Sequence, residues 1–134
     1  MTKRLDLRIR QGETWAYTYT HTSGGSPVDL TGYAARMSIK MGFGSGYMAH
    51  LTTDSTTSGG KITLGGAAGT IKMEMTAAES AKLAGEISVM LSAAYLAPTE
   101  RWIKAMYDLE IVSPAGTVNR VIEGNLYIQR EVTS

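Results

Sequence analysis

Residues 107–128 constrain the fold more than any other stretch of the chain. Tyr107-Asp108-Leu109-Glu110-Ile111-Val112 reads as a strand and Pro114-Ala115-Gly116 as a turn. A second strand starts near Val118, and Gly124 marks a bend into a third. Side chains alternate between the two faces of an extended strand. Tyr107, Leu109 and Ile111 therefore share one side, and Asp108 and Glu110 the other. An apolar face backed by a charged one is the pattern of an antiparallel sheet with a core on one side and water on the other. Such a chain folds by burying every second residue of short strands and works through the surface left outside.

The same period recurs upstream. Leu5, Leu7 and Ile9 alternate with Asp6, Arg8 and Arg10, and Trp15, Tyr17 and Tyr19 alternate with Ala16, Thr18 and Thr20. The aromatic set reads as a core face, because aromatic residues suit a pleated, half-buried surface. A loop at 23–27 and a short piece at 28–33 lead to Tyr33, Ala35, Met37 and Ile39, set against Ala34, Arg36, Ser38 and Lys40. Gly42-Phe43-Gly44-Ser45-Gly46 is a flexible excursion before a partner strand at 47–52, and 61–64 and 71–75 supply two more. Many brief strands separated by turn residues predict an all-β sandwich or barrel. Thr76-Ala77-Ala78-Glu79 has capping-box spacing, so one short helix is expected near 77–84. The stretch 86–101 fits two periods. Ile87, Met90, Leu91, Ala94 and Tyr95 form a helical stripe, whereas Ile87, Val89 and Leu91 form a strand face.

Composition narrows the function. At 134 residues the chain is the size of one domain, enough to bury roughly 68% of its unfolded surface. Thirteen Lys and Arg against twelve Asp and Glu leave +1, which argues against a nucleic-acid partner held by a basic surface. With no cysteine there is neither disulfide nor thiolate metal site, so packing alone holds the fold. The start carries no secretory pattern, and the longest weakly polar run, 87–98, is too short to cross a bilayer. A protein made in a reducing cytoplasm, with no membrane partner, is expected.

Chemistry-bearing residues are few. His21 and His50 lie in no ligand-spaced motif, so the expected metal, cofactor and catalytic residues are none. The 42–46 glycine loop is followed by strand-like residues, not by the helix N-terminus that a phosphate cradle needs. Phe43, Tyr47 and Met48 are candidate contact residues there. Asp108 and Glu110 share a face as glycosidase carboxylates would, but the reading the residues favour is a solvated sheet face balanced by Arg120 or Lys104. Lys3, Arg4, Arg8 and Arg10 make a basic edge that either docks on an acidic partner or keeps an edge strand from pairing. The eight methionines fall mostly at inward positions such as Met37, Met73 and Met75, as core filling.

The succession of motifs resembles a family of small proteins encoded by tailed bacteriophages and prophages. The residues that carry it are Leu5-Asp6-Leu7 with Gln11-Gly12, then Pro27-Val28-Asp29-Leu30-Thr31-Gly32-Tyr33-Ala34-Ala35-Arg36-Met37. They continue with Ile62-Thr63-Leu64-Gly65-Gly66-Ala67-Ala68-Gly69-Thr70-Ile71, Thr76-Ala77-Ala78-Glu79 and Tyr107-Asp108-Leu109-Glu110. Gly116-Thr117-Val118, Glu123-Gly124-Asn125 and Glu131-Val132-Thr133 complete the set. These proteins are similar to the N-terminal module of the upper baseplate proteins of lactococcal phages. The resemblance implies an immunoglobulin-like antiparallel β-sandwich over residues 1–134, with an insertion at about 86–106. It implies a non-enzymatic virion component of tail, baseplate or fibre attachment, docked on other virion proteins in multiple symmetric copies. The implied contact surfaces are the 42–48 loop, the 86–101 insertion and the basic first strand. Their contact residues are Arg4, Arg8, Arg10, Phe43, Tyr47, Met48, Tyr95, Arg101 and Trp102. A capsid decoration protein is the rival reading. A carbohydrate-binding module, with Trp102 as an exposed stacking platform, is a second.

Overall fold

A computed structural model describes residues 2–41, 47–54, 60–81, 83 and 102–129. In chain order the strands are β1 (Lys3–Arg4), β2 (Leu7–Arg10), β3 (Trp15–Thr20), β4 (Thr22–Ser23), β5 (Ser26–Pro27), β6 (Ala34–Met41), β7 (Tyr47–Thr52), β8 (Lys61–Leu64) and β9 (Thr70–Met75). A short helix α1 (Ala77–Ala81) follows, then β10 (Trp102–Val112) and β11 (Val118–Gln129).

Nine of these strands are bonded in the order β1-β11-β10-β6-β7-β8-β9-β3, with β2 also on β11; β4 and β5 form a separate two-residue ribbon. The β7–β8 join is a single parallel bridge, Thr52 to Lys61. There the sheet turns over into two layers, β1/β2-β11-β10-β6-β7 and β8-β9-β3. The alternate residues of both layers meet in one buried cluster that includes Ile9, Met37, Leu51, Met73, Leu109 and Leu126. Burying each such side chain contributes about 1.5–3 kcal/mol. The expected all-β sandwich with one short helix is the fold observed. β2 and β3 stand at opposite ends of the strand order, yet only residues 11–14 separate them. Those residues span at most about 18 Å. The two edges, each without a further strand among the described residues, therefore lie side by side, one in each layer, across a seam.

Local chemistry explains the elements. The capping box forms as its spacing implies: the Glu79 backbone N–H donates to Thr76 Oγ1 (3.1 Å) and the Thr76 N–H donates to Glu79 Oε1 (3.1 Å). On α1 the buried Ser80 hydroxyl accepts from Gly12 N–H (3.0 Å) and donates to the Glu13 carbonyl (2.8 Å), pinning the turn that joins β2 to β3. The Pro114-Ala115-Gly116 turn closes by Gly116 N–H to Ser113 carbonyl, and Gly116 takes a positive φ of 92°, which suits glycine.

Two expectations need correction. Gly124 is no bend into a third strand, since β11 runs unbroken through it. It is glycine because a Cβ there would collide with the Leu5 carbonyl, so its role is close approach between backbones. The aromatic row of β3 does face the core side, Trp15 opposite Met75, Tyr17 opposite Met73 and Tyr19 opposite Ile71. It is not buried as a core face, however: Tyr17 remains 36% exposed and Trp15 and Tyr19 are half-buried. β3 ends the sheet at the seam, and among the described residues no further strand flanks these rings.

Candidate interaction surface

One side of the seam is a basic ribbon held rigidly. β1 and β2 both pair parallel with β11 and with no other strand among the described residues. Between them Leu5 and Asp6 keep the same register, and three hydrogen bonds hold them. The Leu5 N–H donates to the Glu123 carbonyl (2.9 Å), Asp6 Oδ1 accepts from Asn125 N–H (3.0 Å), and the Tyr107 hydroxyl donates to the Leu5 carbonyl. Tyr107 reaches that carbonyl across Gly124, its cross-strand partner, which offers no side chain to block it. Burial pushes the Tyr107 hydroxyl well above its ordinary pKa, and the nearby Asp6 adds to the effect. From the ribbon so fixed, Lys3, Arg4, Arg8 and Arg10 all project into solvent.

The outer face of β6, β10 and β11 carries matched charges. Arg36 Nε lies 2.8 Å from Glu110, and Arg120 bridges Asp108 (3.7 Å) and Glu123 (3.0 Å). Asp108 and Glu110 are thus a solvated, paired sheet face, with Arg120 as one expected partner and Arg36 in place of Lys104. A shallow concavity of about 300 Å³ opens on this face, lined by Arg4, Lys40, Met106, Asp108, Arg120 and Asn125. Met106 is 50% exposed within it.

The other side of the seam is the edge of β3. His21 N–H donates to the carbonyl of Gly69, the residue before β9 (2.8 Å), and the β3–β9 register continues that pairing. Bonding direction alternates along an antiparallel strand. Trp15, Tyr17 and Tyr19 therefore bond toward β9, while the backbone N–H and C=O of Ala16, Thr18 and Thr20 point outward. All three outward residues are exposed, and none of the six residues in β3 is charged. Beyond the strand, a groove of about 620 Å³ lies between Thr2 and Lys3 on one layer and His21, Thr22 and Ser23 on the other. Burial lowers the His21 pKa, and Lys3 pushes it the same way.

Of the residues expected to make contacts, Arg4, Arg8 and Arg10 are brought together on one edge. Tyr47 and Met48 begin β7, in the strand and not in a loop before it, and Trp102 opens β10 opposite Gln129. Phe43, Tyr95 and Arg101, with the 86–101 insertion, lie outside the described residues. The β3 edge and the His21 groove were not anticipated. The available signal was the absence of any charge from 14 to 20 beside a strand dense in arginine. Among the described residues, no group of three or more His, Asp and Glu gathers as metal ligands would, and no helix is long and apolar enough to cross a membrane.

No family model matches the chain, and no curated protein matches it in sequence. Among solved structures it is similar to that of murine CRIg, with a TM-score of 0.40, 10% identity, and 94% of this chain and 92% of that chain covered. A likeness at that level carries no functional argument.

Proposed function

We propose that the chain is a non-enzymatic docking component of a tailed-phage virion, in the tail, baseplate or fibre attachment, acting by fit against neighbouring virion proteins. The family resemblance in sequence suggests the setting. The observation that carries the reading is the basic ribbon: Arg4, Arg8 and Arg10 project from one edge that Tyr107, Asp6 and the Gly124 approach hold in place. A fixed row of cations steers and orients an acidic partner surface. Repetition around a symmetry axis lets individually weak contacts hold firmly.

The test replaces Arg4, Arg8 and Arg10 together by Glu in a tagged copy and measures incorporation into purified particles. The variant stays folded, because these side chains are exposed, and is lost from the particles. Copy number of the unaltered chain then separates locations, a few or a dozen pointing to the tail and hundreds to the capsid. Absence of the unaltered chain from particles, or undiminished incorporation of the variant, overturns the reading.

A further inference from the structure

We propose that the free edge of β3 accepts an extended segment of another protein as an added strand, and that the groove between Lys3 and His21 receives a carboxylate carried by that segment. This rests on the docking reading above and specifies its chemistry. An added strand needs unpaired backbone groups in a straight row, room for its side chains, and no obstacle. β3 offers the outward groups of Ala16, Thr18 and Thr20, with small side chains on the exposed face.

Natural sheets shield such edges with charge, proline or bulges. The neighbouring β1/β2 edge has one of those devices, its cations, and the Asp6 carboxylate takes the place of a backbone acceptor in its ladder. β3 has none: it carries no charged residue, no proline, and an unbroken register with β9.

The groove fixes the partner's chemistry. Lys3 supplies a cation, His21 a ring N–H, and Thr22 and Ser23 hydroxyl donors, and no Asp or Glu is among the described residues that line it. A carboxylate at the end of an added strand would meet charge-assisted donors there. A second copy of this chain fits poorly. Pairing two β3 strands across a twofold axis would bring both basic β1/β2 edges to one side, and like charges brought together across an interface are costly. An acidic segment turns the same cations into attraction.

The probes are two synthetic Thr-Val repeat peptides, one ending in a pair of glutamates and the other in a pair of glutamines, titrated into the full chain by NMR. The glutamate peptide binds at least about tenfold more tightly, the amides of Ala16, Thr18 and Thr20 become protected from exchange, and the His21 titration moves to higher pH. Thr18→Pro removes an outward N–H at an edge position that tolerates proline, and it abolishes binding. If that variant does not fold, Thr18→Lys places a gatekeeping charge at the same point and does the same. Lys3→Gln retains binding and loses the preference for glutamate.

The proposal is overturned if neither peptide binds, if both bind equally, or if binding survives both Thr18 variants. It also falls if the chain dimerises with rising concentration and Thr18→Pro removes the dimer, since a second copy then occupies the edge. Should Thr18→Pro enter particles normally while the arginine triple variant does not, this inference falls and the docking reading stands.

Discussion

The two edges that flank the seam solve the same problem in opposite ways. Both are short strands bonded on one side only among the described residues, and both lie against the same core. β1/β2 is tied down at three points between its two strands and lined with cations; β3 is uncharged and keeps an unbroken register with β9. One edge carries the charge that discourages pairing with another strand, and the other lacks it. The defended edge gives position and charge, and the open one gives hydrogen-bonding capacity.

The strongest way to break the contrast is to dislodge the defended edge. Gly124→Val sets a side chain where the Leu5 carbonyl lies, and should cost about 3 kcal/mol by overpacking. A lowered urea midpoint, with amide protection lost first at Leu7 and Ile9, is the expected result. Ser80→Ala loosens the turn that holds the two edges together. It leaves the Gly12 N–H and the Glu13 carbonyl without their partner, at about 2 kcal/mol. The same denaturation series measures it.

How much of this was readable beforehand depends on the distance over which the information acts. Inward positions such as Leu7, Ile9, Met37, Met73 and Leu109 follow from period two, a property of each strand alone, and the Thr76–Glu79 cap is equally local. Strand order is not local. Nothing in residues 11–14 says that the strands they join lie at opposite ends of a folded-over sheet, and for that reason Tyr17 read as core. Gly124 was misread for the same reason: its obstacle is Leu5, far away in sequence. The basic edge was legible from Arg4, Arg8 and Arg10, whereas the open edge becomes visible only when strand order shows which strand ends the sheet.

Smaller effects sharpen the picture. Tyr107→Phe removes the donor to the Leu5 carbonyl and should cost about 1 kcal/mol, read as a shift in urea midpoint without change in slope. The least effect concerns the groove. His21 holds its proton less readily in the fold than its ordinary value of 6.5. Its contribution to stability is therefore complete above about pH 6.5 and is lost as pH falls through the lower folded value. Urea midpoints of the parent chain should decline between about pH 7 and pH 5 more steeply than those of His21→Asn, and parallel curves would show that burial at His21 does not matter.

Hydrogen exchange along β3 in the isolated chain tests the contrast of edges most directly. The amides of Trp15, Tyr17 and Tyr19, bonded toward β9, should exchange slowly, while those of Ala16, Thr18 and Thr20 exchange close to the rate of open chain. Protection of all six would mean that another part of the protein already covers the edge, and the account built on its openness would be wrong.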